Sequence, residues 1–294
     1  MDIYFKAIGF SDIQSKGDLK LLLKDIISHP TQKHMSNYGG DIIKVEYFRE
    51  YSEEFGVLVR GELNDKEELA VYAMIPYKVG KLLTDTQEIE IEKVDEKDIY
   101  FGYCEEIKQG TPITFYLQNV VDYLNVEEQE DVYINGVRLV ALCSEGSVIL
   151  PISKSDDDLK DEEEETKWKE DLIEQARSGN EEAMDILEEE AFEMARFINN
   201  RLKNEDLLSI LEGFFFPEEE REDIYSILGN ILAFKKTVNE ATHENVYIIQ
   251  IECMNSKLEV MINEKDLMGI PTRGMRFKGR CWLQGFIDFA KPTK

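Results

Sequence analysis

Leu19, Leu22, Leu23, Ile26 and Ile27 fall at i, i+3, i+4, i+7 and i+8 and so share one face of an amphipathic helix predicted over Lys16–Ser28. His29-Pro30 stops it, because proline cannot extend the helical hydrogen-bond ladder and disfavours helical geometry at the residue before it. Runs rich in Val, Ile, Tyr and Phe follow at Ile42–Phe48, Phe55–Leu63, Leu69–Pro76, Ile99–Cys104 and Ile113–Gln118. Such residues suit a pleated, half-buried surface, and the runs are predicted as strands. Leu139–Cys143 and Ser147–Ile152 flank Ser144-Glu145-Gly146, which reads as a hairpin turned by glycine. Sequential strands with little helix between them predict an antiparallel sheet with a helix packed on it.

The pattern changes after Lys154. Trp168, Leu172, Ile173 and Ala176 predict a helix over Lys167–Ser178 ending at Gly179. Asn180 caps a second helix bearing Ala183, Leu187, Ala191, Met194, Ile198 and Leu202. Asn204 is read as the cap of a short third helix with Leu207, Leu208 and Leu211, and Phe214-Phe215-Phe216-Pro217 as its anchor on a neighbouring domain. The hairpin around Ser178-Gly179-Asn180 resembles one tetratricopeptide unit, but about three repeats are needed for a stable array, so a structural bridge is expected. Strand signals return at Tyr225–Lys236, Val246–Met254, Leu258–Ile262, Met275–Arg280 and Cys281–Phe289, with a helical turn at Glu264–Leu267 and a bend or bulge at Gly229. Five strands in this order predict a small OB-like β-barrel. The fold class expected is α+β, divided into an N-terminal domain (1–153), an acidic linker and helical segment (154–223) and a C-terminal barrel (224–294).

Charge sharpens this division. The 294-residue chain carries 34 basic and 61 acidic residues, net −27. Residues 1–154 contribute −12, residues 155–224 contribute −18 and residues 225–294 contribute +3. The stretch from Ser153 through Glu165 is expected to be a mobile linker, because like charges at that density repel, with a solvated start to the next helix as the alternative over part of it. A strongly anionic surface disfavours nucleic acid and anionic membranes as partners. The four cysteines, Cys104, Cys143, Cys253 and Cys281, are widely spaced and are expected as buried free thiols of a cytoplasmic protein.

The cationic tail supplies the candidate site. Period-two alternation along Met275–Gln284 points Met275, Phe277, Cys281 and Leu283 one way, and Arg276, Lys278, Arg280, Trp282 and Gln284 the other. Arg276, Lys278, Arg280 and Trp282 form a basic row ending in an indole, suited to an anionic small molecule or protein. Acidic helices of the same chain could cover the row instead. Catalytic residues stay unassigned: no Walker A, G-x-S-x-G, H-E-x-x-H or G-x-G-x-x-G pattern is present. His29 and His34 read as lone histidines, Gly39-Gly40-Asp41 as a plain turn, and no metal or cofactor is expected. The alternative to a binding or scaffold role is a carboxylate-dependent enzyme working between the two β-rich parts.

Ala7-Ile8-Gly9-Phe10-Ser11, Val59-Arg60-Gly61-Glu62, Phe115-Tyr116-Leu117-Gln118-Asn119, Tyr225-Ser226-Ile227-Leu228-Gly229 and Arg276-Phe277-Lys278-Gly279 with Trp282-Leu283-Gln284-Gly285-Phe286-Ile287 carry a further signal. Over nearly the whole chain the sequence resembles a domain-of-unknown-function family, mainly from clostridial-type bacteria. The resemblance implies a bacterial cytosolic origin and transfers no catalytic, metal or cofactor residue. The segments at Phe115–Asn119 and Trp282–Gly285 also look alike, although too briefly to establish duplication.

Overall fold

The computed structural model describes residues 3–291 except 14, 38–41, 85, 95–98, 107–111, 128, 130, 153–155 and 255, with backbone alone at 86, 87, 106 and 156–165. The Gly39-Gly40-Asp41 turn lies outside the described residues. A 3₁₀ segment, Ile3–Ile8, leads into α1 (Lys16–Ser28), which starts at a capping box between Ser15 and Asp18. Strands β1 (Gln32–Ser36), β2 (Ile43–Ser52), β3 (Phe55–Leu63) and β4 (Leu69–Lys78) form an antiparallel meander in that order. Then come β5 (Thr86–Lys93), β6 (Tyr100–Glu106), β7 (Pro112–Leu117), α2 (Val120–Val126) and β8 (Tyr133–Ile149). Helices α3 (Asp156–Arg177), α4 (Glu181–Arg201) and α5 (Leu207–Ile210) precede β9 (Phe214–Pro217). Strands β10 (Ile224–Val238), β11 (Asn245–Cys253), β12 (Ser256–Asn263), β13 (Leu267–Met268) and β14 (Arg276–Ala290) complete the chain. The fold is mixed α+β, as the alternating patterns require.

The second sheet runs β13-β8-β12-β11-β10-β14-β7-β6-β5, with β9 on β10 and an extra pairing between β8 and β14. That extra ladder is the longest, from Arg276 opposite Ile149 to Ala290 opposite Tyr133. The pairings β8–β12, β12–β11, β11–β10, β10–β14 and β14–β8 return to their starting strand. The expectation that residues 224–294 would make a barrel unaided therefore needs correction, because β8 supplies the connecting strand. The charge-based segments 1–153 and 224–294 thus contribute to one sheet. The hairpin expected at Ser144-Glu145-Gly146 is instead an irregularity within β8, where Arg280 faces Glu145 but Cys281 faces Cys143. Gly146 is there for space and not to turn the chain: a Cβ would sit 2.7 Å from the Phe277 ring. The two strands expected at Met275–Arg280 and Cys281–Phe289 are likewise one strand, β14.

Other corrections have local causes. Of the stretch from Ser153 through Glu165, residues 153–155 lie outside the described residues, and from Asp156 onward it is helical, which is the alternative reading and not the mobile linker. Carboxylates in a first turn favour the positive end of the helix dipole. α5 is capped by Asp206, whose side chain accepts from the Leu208 N–H, and not by Asn204. Phe214–Pro217 docks as a strand on β10. The irregularity in β10 falls between Ile231 and Ala233, whereas Gly229 keeps its register. Cys143 and Cys281 face each other with 4.0 Å between their Cα atoms and are joined as a disulfide, so only Cys104 and Cys253 are free thiols. Sequence separation of 138 residues hid that juxtaposition.

Two cores result from strand alternation. Ala141, Cys143, Ile227, Ile249, Val260, Phe277 and Leu283 face one core. Their neighbours Val140, Leu142, Ile224, Val246, Met261 and Trp282 face another, shared with Phe5, Ile8, Val45, Val57 and Ile75. The space between the two sheets is therefore filled. At its edge Arg60, fully buried, donates Nε to Glu46 Oε1 at 2.7 Å, Nη1 to the Tyr116 hydroxyl at 3.2 Å and Nη2 to the Gln118 carbonyl at 3.0 Å. Glu46 also accepts from the Val121 N–H at 3.2 Å. Burial holds the Glu46 carboxyl above its usual range, and the Arg60 charge opposes that.

Arg60→Met should lower unfolding free energy by about 3–5 kcal/mol, since it strands a buried carboxylate, and Arg60→Met with Glu46→Gln should recover much of the loss. Urea unfolding of both variants measures this. Denatured without reductant, the protein should alkylate at Cys104 and Cys253 only, and at all four cysteines after reduction. Intact-mass spectrometry reads the difference, and four labels without reductant would refute the pairing.

Candidate functional site

β14 keeps strict alternation from Phe277 to Leu283, because its ladder with β10 has no register shift there. The four candidate residues consequently share a face, as the spacing predicts, but they meet different surroundings. Arg276 is buried and donates Nε to the Leu150 carbonyl at 2.8 Å and Nη1 to the Leu211 carbonyl at 2.9 Å. Both acceptors are backbone groups at the borders of the helical segment. Burial pulls the Arg276 guanidinium below its ordinary value, and the Glu212 charge works against that. Arg280 grips Glu218 with two bonds, Nε to Oε1 at 2.5 Å and Nη2 to Oε2 at 2.6 Å. Paired guanidinium and carboxylate geometry of this kind is the strong form of an ion pair.

Trp282 is no open stacking platform. It is 3% exposed, lies between Tyr4 and Tyr116, and donates its indole N–H to Asp223 Oδ2 at 2.6 Å. Arg221 also donates to Asp223, Nη2 to Oδ2 at 2.7 Å. Thus Glu218 and Asp223, from the turn between β9 and β10, cover two members of the row. Sequence reasoning did not find them: the run Glu218-Glu219-Glu220-Arg221-Glu222-Asp223 announces acid, yet nothing in it distinguishes the two inward carboxylates from their neighbours.

Lys278 differs. It is half-buried and lies opposite Ser147 on β8, in an open cleft of about 760 Å³. Glu145, Ser147, Ser226, Asp266 and Arg280 also line this cleft. Asp266 accepts from Lys6 at 2.9 Å, and Lys265 at the rim is paired with Glu244. Arg280 is held above its ordinary value, chiefly by its bond to Glu218, and Glu145 adds to that. The cleft therefore offers an ammonium group, two hydroxyls, ion pairs already neutralised and the carboxylate of Glu145, a setting in which an anionic group can be bound through Lys278 and Ser147 on the side away from Glu145.

The motifs of the sequence converge elsewhere. Gln118 Nε2 donates to Gln284 Oε1 at 2.8 Å, and Asn119 exchanges bonds with the backbone of Ile287 at 3.0 Å each way. The two look-alike segments lie side by side, Tyr116 opposite Gln284 and Leu117 opposite Gly285. Gly285 is required, because a Cβ there would come within 2.3 Å of Phe115. His34 bonds Asp122 Oδ1 through Nδ1 at 2.6 Å, and His29 bonds Asp25. Among the described residues no group of three or more His, Cys, Asp or Glu side chains is gathered to hold a metal ion. Among the same residues no helix is long and apolar enough to cross a membrane.

Residues 5–285 match the family model described as "Domain of unknown function, E. rectale Gene description (DUF3881)". No curated protein and no solved structure matches the chain.

The Arg280 bonds hold the Glu218 carboxyl below its usual value of 4.5. A depressed carboxylate contributes stability that is present above its unfolded value and fades as pH falls through its folded one. Wild type should therefore lose its stability advantage over Glu218→Gln as pH drops below about 4.5, read by thermal unfolding of both proteins from pH 6 to pH 3. A constant difference across that range would remove the ion pair from the account.

Proposed function

The chain belongs to the DUF3881 family, and for it we propose a non-enzymatic binding or scaffold protein whose cleft at Lys278 accepts an anionic group. The observation carrying this reading is the unequal treatment of the row. Arg276, Arg280 and Trp282 are engaged by Leu150, Leu211, Glu218 and Asp223, while Lys278 opens into the cleft. Three members fasten the acidic middle segment to the strands beneath, and the fourth is left for a ligand. The five strands with returning pairings, β8 included, are read here as an OB-like barrel, supported by the parallel β12–β8 pairing and the antiparallel β10–β14 pairing. Small barrels of this kind present ligands on outer faces and connecting loops.

An anionic small molecule or an acidic protein segment fits the cleft better than a nucleic-acid strand. Only one unengaged cation is present there among the described residues, whereas tracking a phosphate backbone needs several. A cytoplasmic setting belongs to the same proposal: net charge −27 favours solubility in a crowded compartment. The Cys143–Cys281 bond would persist there through complete burial, which denies thiols access.

Thermal-shift measurements with nucleotides and sugar phosphates test the proposal. Lys278→Ala should abolish the ligand-induced rise in Tm while leaving the ligand-free Tm nearly unchanged, because the half-buried Lys278 holds no bonded partner among the described residues. Arg280→Ala should instead lower the ligand-free Tm. Equal ligand response in wild type and Lys278→Ala would end the assignment.

A further inference from the structure

α4 is 21 residues long, and Ala183, in its first turn, is its one buried residue among those described. Beyond that turn it carries Leu187, Ala191, Met194 and Ile198 at i, i+4, i+7 and i+11, a single helical face. These residues line an open groove of about 1060 Å³, whose opposite wall includes Phe216 of β9 and Met254 beside β11. Met194, Phe197 and Phe216 are each more than half exposed. Ala191 and Met194 of this stripe are exposed and Leu187 and Ile198 only half-buried, and an apolar patch of this kind marks an interaction surface. Methionine on two sides of the groove supplies flexible, polarisable walls that adapt to a partner's side chains.

Charge selects the occupant. Glu190 and Glu193 stand in the groove with the apolar residues; of the two cations lining it, Lys169 and Arg177, the second is already bonded to Glu105. α3 and α4 together hold 18 acidic and 6 basic residues, net −12. A second copy would set −12 against −12, and an anionic membrane would be repelled. We propose that this groove binds an amphipathic helix of another protein, with apolar residues at i, i+3 or i+4 and i+7 and a flanking face of lysine and arginine. Helix-in-groove recognition reads such anchors, and the carboxylates orient the basic face and raise the association rate. This inference is independent of the Lys278 cleft, which lies on other strands.

The test uses the full-length protein and a synthetic 18-residue helical peptide with leucines on one face and lysines on the other. A peptide of identical leucine pattern with glutamates for lysines, and one of the same basic composition in scrambled order, serve as controls. Calorimetry should give binding of the first peptide at least tenfold tighter than of either control, with affinity falling as salt rises. Amide exchange should show new protection within residues 184–201. Met194→Asp should weaken binding about tenfold or more, and Glu190→Gln with Glu193→Gln should weaken it several-fold and flatten the salt dependence. Met194 and Glu193 are exposed and Glu190 half-buried, and circular dichroism verifies the folding of both variants. Absence of binding, equal affinity for the scrambled peptide, unchanged affinity of Met194→Asp, or self-association that protects residues 184–201 without peptide would each overturn the proposal.

Discussion

The β8–β14 ladder holds the molecule together. It pairs residues 133–149 with residues 276–290, and every other strand of the larger sheet except β5, which pairs on β6, is attached to one of these two strands or to a strand that is. Closing a contact of this sequence separation costs chain entropy before any hydrogen bond repays it. That cost is offset by alternating side chains that bury apolar area on both sides, Ala141, Cys143 and Leu283 into one core and Val140, Leu142 and Trp282 into the other. The disulfide between Cys143 and Cys281 crosses the ladder at its irregularity, where the register would otherwise be least determined.

Polar groups mark where the two sheets meet, and they account for the segments that carry the family resemblance. Arg60 bonds the backbone of Leu117 and Gln118, Gln118 bonds Gln284, and Asn119 bonds Ile287. Asn239 donates to the Ile8 carbonyl, and Thr242 donates to that of Gly9. Each bond satisfies a polar atom cut off from water, so each fixes one relative placement of two elements and penalises others. These segments resemble a catalytic signature in density only. Their side chains are spent on joining elements, which explains why they read as specific yet suggest no chemistry.

The acidic surplus has two distinct uses. Glu218 pairs with the Arg280 guanidinium and Asp223 accepts from the buried Trp282 indole, fastening the middle segment to β14. Glu190 and Glu193 of α4 instead stand beside apolar side chains along the groove. One property of the composition thus fastens the base of the helical segment and leaves carboxylates along its exposed face.

By itself the sequence determined the elements whose signals are local. The apolar face of α1, the Asn180 cap of α4, strands β2, β3 and β4 of the first sheet and the alternation along β14 all follow from spacing within a few residues, whereas β1 carries no such signal. It also determined that Arg276, Lys278, Arg280 and Trp282 would share a face. Only tertiary structure decided which of them are engaged and which faces the cleft, because the partners Leu150, Leu211, Glu218 and Asp223 lie tens of residues or more away in the chain. The same holds for Cys143 meeting Cys281, and for β8 running straight through the glycine that suggests a turn. Local patterns report backbone preference over one or two turns, whereas partner choice depends on which distant surface arrives there, and that is set by the free energy of the whole fold.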